Sequence, residues 1–429
     1  MPTLTEEQAR AYMHKLLAAM NQAGGSDLFI ASEFPPSMKA HGSMKPLTAQ
    51  KLPPDMTRML AHSMMNESQR QEFEKEMECN FAITVAGLSR FRVNVYVQQQ
   101  CVSMVIRTIA SEIPNFEKLG LPEVLKDVVM SKRGLVLVVG ATGSGKSTTL
   151  AAMIDHRNRT SAGHIITVED PVEYVHPSRL SLVTHREVGV DTKSWHHALK
   201  NTLRQAPDVI LIGEIRDAET MEHAIAFSET GHLCLGTLHA NSASQTIERI
   251  INFFPEERRA QLLMDLSANL RAIVSQRLVR REDGKGRSAA IEILLNTPIV
   301  TEKIFQGQFH EIKAIMSKSR ELGMRTFDWA LFELYNEGMI SFEEALRNAD
   351  SANELRLNIK LKSERGEPPA SNFMSLSIDE GPSAEELEEQ RHQEMLKQQE
   401  KRRQFEDEQL AQMREKKRLA EAAAGRPPQ

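Results

Sequence analysis

Cysteine is scarce: three residues in 429, Cys79, Cys101 and Cys234. None stands in a CxxC pair or at Cys/His metal-ligand spacing, so a zinc module of that kind is excluded. An odd, sparse count suits a reducing compartment. Long hydrophobic runs are missing too, and no stretch approaches the roughly eighteen apolar residues of a membrane span. The first residues, MPTLTEEQARAYMHKLL, carry acids and no apolar core, unlike a signal peptide. The formal net charge is only −5, which gives no reason to expect nucleic acid as a partner. No repeat occurs at a solenoid period. The expectation is a soluble, cytoplasmic protein that reaches any membrane through partners, without direct insertion.

What is present is enough for two to three domains, with 41% hydrophobic residues to fill at least one sizeable core. Residues 5–22 predict an amphipathic helix, because Ala9, Tyr12, Met13, Leu16, Leu17 and Met20 recur at helical spacing. Gly24-Gly25 ends it. A strand over 26–30, a helix over 67–78, a hairpin over 81–85 and 90–97 turning near Gly87, and a strand over 102–109 complete an N-terminal α/β domain, residues 1–112. Pro114, Gly120 and Pro122 mark 113–124 as a linker. Residues 125–362 then alternate apolar runs with helices. Strands at 135–139, 165–168, 209–212 and 233–237 are short, β-branched and apolar, as in a buried parallel sheet, with helices continuing to about residue 361. Residues 363–429 form a charged tail without a sustained heptad, read as a disordered segment or a single helix.

The chemistry begins at Gly140-Ala141-Thr142-Gly143-Ser144-Gly145-Lys146-Ser147. This is GxxxxGK[ST] with a strand before it and a helix after it, the context the motif requires. Glycines let the backbone curl so that its N–H groups point at phosphates. Lys146 supplies positive charge, the Ser147 hydroxyl can hold Mg²⁺, and the helix starting near Thr148 adds its positive end. The pattern predicts ATP and Mg²⁺ as ligands. Glu169 ends the next strand, in the ligand crevice of an open α/β sheet, where an acid can polarise water or orient Mg²⁺. Glu173 is a weaker candidate. A third strand ends in Gly213-Glu214, the Walker B pattern, with Glu214 in reach of Mg²⁺ or its water. His232 and His239 bracket a fourth strand and so do not face one metal. His239, at the carboxyl end, could sense the γ-phosphate or hydrogen-bond a catalytic carboxylate. His232 reads as structural or subunit-bridging.

Four blocks in this order, GATGSGKSTTLAAMID, ITVEDPVEYVH, LRQAPDVILIGEIRDAET and TGHLCLGTLHANSA, resemble the secretion ATPases of type II secretion and type IV pilus systems. The resemblance covers about residues 5–355. SDLFI, RFRVNVYVQQQ, THREVGVDT and AAIEILLNTPIV resemble the retraction-ATPase branch of PilT-like and PilU-like proteins. It implies an N-terminal PAS-like domain joined to a RecA-like P-loop ATPase domain, a homohexamer, and ATP hydrolysis that rotates domains. It also implies that Arg92 and Arg107, in FRVNVY and SMVIRTI, reach the phosphates, a task that suits the planar arginine fork. Arg204 is read as structural or interfacial. The chain departs from the PilT-like pattern: residues 299–306 read IVTEKIFQ in place of AIRNLIRE, and residues 290–293 read AIEI in place of AHEI. ALRNADSANELRLNIKL resembles the PilU-like ending. The expected function is a hexameric motor at the cytoplasmic base of a type IV pilus. It would promote retraction as an accessory to a PilT-like ATPase and act on an inner-membrane platform protein. An assembly or secretion ATPase, and an ATP-binding scaffold with little turnover, are the alternatives.

Overall fold

At the head of the first helix the Gln8 N–H donates to Thr5 Oγ1, and the Gln8 side chain accepts from Thr5 N. This capping box starts α1 (Glu6–Gln22). Its stripe of Ala9, Met13, Leu16, Leu17 and Met20 is buried. The computed structural model describes residues 5–40, 43–109 and 113–366. The expected tail beyond residue 366 lies outside them.

The N-terminal sheet holds β1 (Asp27–Ile30), β2 (Ser37–Ala40), β3 (Ser43–Pro46), β4 (Glu78–Val85), β5 (Ser89–Gln98) and β6 (Cys101–Ile109). All neighbours are antiparallel, in the order β3-β2-β1-β6-β5-β4. Gly87, with φ +76°, makes the turn between β4 and β5 that the sequence predicts. The helices α1, α2 (Pro54–Met64) and α3 (Glu67–Glu76) cover the sheet, and Phe73, Phe91, Leu28 and Met13 meet in its core. The expected strands and helices of this domain are all present; β2, β3 and α2 are additions.

Within the expected linker, α4 (Phe116–Leu119) forms one short turn, and Phe116 and Leu121 are buried in the core of the second sheet. Helix α5 (Val124–Val129) follows. The second sheet then runs β7 (Gly134–Val139), α6 (Lys146–Thr160), β8 (Gly163–Glu169), β9 (Ser181–Glu187), α7 (Trp195–Thr202), β10 (Val209–Ile212), α8 (Ala218–Glu229) and β11 (Leu233–Leu238). After α9 (Ala243–Asn252) and α10 (Arg259–Asn269) come β12 (Leu270–Arg280) and β13 (Arg287–Leu295). The strand order is β13-β12-β7-β11-β10-β8-β9, parallel except for β13. Every residue of β7, β10 and β11 is buried, because helices cover both faces. The four predicted strands form the contiguous block β7-β11-β10-β8.

The sequence predicts helices from the fourth strand onward, and residues 270–295 correct this. They form a hairpin that extends the sheet past β7. In β12, Ser275, Gln276 and Arg277 interrupt the apolar run, so it lacks both the clean alternation of an edge strand and the unbroken hydrophobicity of a central one. Strand β9 was also unforeseen, since SLVTHRE is an edge strand with little apolar content. Helices resume to Lys362. Among the described residues no helix is long and apolar enough to cross a membrane.

Candidate active site

The loop between β7 and α6 has the backbone that its glycines predict. Gly140, Gly143 and Gly145 have φ of +152°, +76° and +91°. A Cβ on Gly140 would lie 2.4 Å from Ser144 Oγ and 2.5 Å from Gln276 O, so no larger residue fits. Gln276, from the unforeseen β12, supports the loop and accepts a hydrogen bond from Thr149 Oγ1 at 2.7 Å. Helix α6 has no side-chain cap at Gly145, which leaves its first N–H groups to an anion. Ala141 and Thr142 form the exposed rim, while Ser144 is buried below it. Lys146 Nζ donates to Gly140 O at 2.9 Å and Ala141 O at 3.1 Å. Burial lowers the Lys146 pKa, and the charge of Glu214 opposes that shift. Thr148 Oγ1 hydrogen-bonds the Tyr174 hydroxyl at 2.9 Å.

Glu169 ends β8 and is 7% exposed. Burial pushes its carboxyl pKa up to about 7, against the pull of Thr167 and of the Glu173 N–H, which donates to Oε2 at 3.3 Å. Together with Ser147, Glu173, Gly213 and Thr237 it lines a cavity of about 20 Å³ under the loop. That is room for about one water. On the next strand Gly213 N donates to Val168 O at 2.8 Å, and Thr237 Oγ1 donates to Gly213 O at 2.5 Å. These bonds hold the chain close enough that a Cβ on Gly213 would meet Glu169 Cα and Cγ, each at 3.1 Å.

Glu214 is gripped from two sides. His239 Nε2 lies 2.9 Å from Oε1, and Arg216 Nη2 lies 2.7 Å from Oε2. The Arg216 hydrogen bond is the main cause that holds the Glu214 carboxyl below its usual range. Ser147, Glu169 and Glu214 offer oxygen donors only, a set that suits Mg²⁺ better than a softer metal.

A single chain therefore brings together residues 140–148, Glu169, Glu214 and His239. Arg92 and Arg107 stand opposite each other on β5 and β6 of the other sheet. Arg107 Nε donates to the buried Asp27 Oδ1 at 2.7 Å. Among the described residues no hydrogen bond or ion pair joins either arginine to the loop. Two residues before Arg92, on the same face of β5, Arg90 does cross over and pairs with Glu187 of β9 at 2.9 Å. His232 is tied to its own turn through Phe227 O, and Arg204 is exposed.

Arg90, Glu187, Arg216, Tyr174 and Gln276 were not singled out in the sequence. Arg216 and Tyr174 lie inside motif blocks and were within reach. Gln276 was not, because its strand was unforeseen.

A family model described as type II/IV secretion system protein matches residues 11–347. The type IV pilus ATPase PilU of Pseudomonas aeruginosa is 58% identical over 350 residues, which is 82% of this chain and 92% of that protein. The pilus retraction ATPase PilT of the same organism is 42% identical over 335 residues, 78% of this chain and 97% of that one. The crystal structure of the pilus retraction motor PilT with bound ADP superposes with a TM-score of 0.75 at 40% identity, covering 79% of this chain and 97% of that chain.

Proposed function

We infer the function from one premise: the chain belongs to the type II/IV secretion ATPase family, in its PilT/PilU branch. It is a PilU-like ATPase among the type IV pilus retraction motors. The proposal concerns how its own residues run the cycle. The observation that carries it is the convergence of Ser147 and Glu169 on one small cavity below the loop.

In the proposed cycle the loop N–H groups of residues 140–148 and the Lys146 ammonium take the outer phosphates of ATP. Glu169 accepts the proton of the attacking water, a task served by a pKa near neutrality. Glu214, held in place by His239 and Arg216, orients the oxygen side of the site with Ser147. When bound there, Mg²⁺ neutralises charge on the outer phosphates. Arg92 and Arg107 complete the site when residues 1–112 close on residues 125–362 about residues 113–124. Their guanidinium forks then meet charge that grows in the transition state. Six copies form a ring at the cytoplasmic face of the inner membrane, against the pilus platform protein, and assist a PilT-like ATPase.

The test is pilus retraction under load in cells whose only copy carries Lys146→Ala, beside a deletion. Weakened retraction and surplus surface pili are expected in both. Loss of pili on deletion would instead assign the motor to assembly. Unchanged retraction with Lys146→Ala would reduce the protein to an ATP-binding scaffold.

A further inference from the structure

Away from the nucleotide site, three metal-ligating side chains meet on the surface of the second sheet's helices. Glu219 and His223 stand four residues apart on α8 and so share one stripe of that helix. His196 comes from the first turn of α7, which packs beside α8. One ligand atom from each residue lies within 4.8 Å of the other two. His196 Nδ1 contacts Glu219 Oε1. The His196 and His223 rings meet edge to face with centroids 6.1 Å apart. The His223 ring stacks on Phe227 at 5.9 Å, which fixes its plane.

Nothing in the ATP cycle uses these residues. A surface hydrogen bond accounts for His196 and Glu219 but not for the second imidazole. Among the described residues no hydrogen bond engages a His223 ring nitrogen, yet one of its nitrogens lies within 4.8 Å of a Glu219 carboxylate oxygen. Two imidazoles and one carboxylate, drawn from two helices, form a donor set that Zn²⁺ takes with a fourth position open. Mg²⁺ and Ca²⁺ prefer oxygen alone.

We propose that His196, Glu219 and His223 form a Zn²⁺ site whose fourth position faces solvent. The imidazoles must be neutral to ligate. His196 and Glu219 are 54% and 58% exposed, so the ion enters directly from solvent. Occupancy would clamp α7 to α8. Helix α7 leads into β10, and α8 is capped by Asp217, three residues beyond Glu214. The ion would thereby brace both flanks of the strand that presents Glu214.

The test is calorimetric titration of the untagged, metal-free full chain with ZnCl₂. One ion per chain is expected, with micromolar affinity, and Mg²⁺ should not displace it. His196→Ala and His223→Ala should each weaken binding at least tenfold, whereas His197→Ala, at an exposed neighbour, should not. Zn²⁺ should also raise the melting temperature of the wild type but not of His223→Ala. Glu219→Gln, isosteric and exposed, serves where an alanine variant fails to fold. Absence of stoichiometric binding overturns the proposal. So does wild-type affinity in the His196→Ala and His223→Ala variants, or an equal loss in His197→Ala.

Discussion

Arg90 Nη2 and the Val172 N–H converge on the same oxygen of Glu187, at 2.9 and 3.1 Å. Glu187 is 3% exposed and lies directly across from Glu169 on the neighbouring strand. One carboxylate thus ties the N-terminal sheet to the segment that carries Glu169 and Glu173. Removing the arginine strands a buried charge, a change that costs about 3 kcal/mol. Arg90→Ala should therefore lower the urea midpoint and slow ATP turnover together. Glu187→Gln keeps an acceptor for Val172 N and should cost less in both. A variant Arg90→Ala with wild-type stability would show that the pair contributes nothing.

Glu169 gives the turnover a pH dependence. Its carboxyl pKa lies at about 7, so the proton-accepting form fills as pH rises through that value. The kcat/KM for ATP should climb from about pH 5.5 to a plateau near pH 8, with the midpoint near 7. Glu169→Gln should lose about a hundredfold or more in kcat at pH 8, and the deficit should shrink as pH falls and the wild type loses its base. A wild-type profile that is flat across neutrality would remove Glu169 from the role of base.

Gly213 tests the spacing behind Glu169. An added Cβ would press on Glu169 Cα and Cγ at 3.1 Å. Gly213→Ala should displace the carboxylate by a few tenths of an ångström and cut turnover about tenfold. The loop residues 140–148 are untouched, so nucleotide affinity should hold, as fluorescence binding of a labelled ATP analogue would report. Equal loss of affinity and turnover would mean that the site as a whole had collapsed.

Stability should fall as pH rises through neutrality, because of a carboxylate outside the ATP site. Glu292 is 2% exposed, and its Oε1 accepts from Ala243 N at 2.7 Å and Ser275 Oγ at 3.1 Å. Burial pushes its pKa up to about 7. Between about pH 4.5 and 7 the folded chain holds a proton that the unfolded chain releases, so folding binds protons there. The resulting stabilisation is full at low pH and is lost as pH climbs through 7, by about 3 kcal/mol. Glu292→Gln keeps the same acceptor without the titration. Its stability relative to wild type should therefore increase between pH 5 and pH 8, measured by chemical denaturation.

Much of this was written in the sequence, and the reasons are local. The loop from Gly140 to Ser147 has a fixed backbone that only its own spacing can make. The strands before Glu169 and Glu214 are apolar on both faces and end in an acid, so their place in the sheet was readable. The hairpin of β12 and β13 was not. Gln276 and Arg277 there are polar because they meet the phosphate loop and the C-terminal helices, through Thr149 Oγ1 and Asn348 O. Those partners lie far off in the sequence, and tertiary contact overrides the local pattern. Arg90 and Glu187 were hidden for the same reason. Ninety-seven residues separate them, and each alone resembles an ordinary charged strand residue.

The two carbonyls that hold Lys146 have one more consequence. A phosphate oxygen that claims the ammonium must compete with Gly140 O and Ala141 O, groups permanently tethered a few ångströms away. Nucleotide capture is then a partner exchange, and its affinity is set by a difference between two hydrogen-bonded arrangements. The same tether works in reverse after hydrolysis, since the loop carries its own displacing group to the phosphate it must release. A motor that has to let go on every stroke gains from a grip that the chain itself can replace.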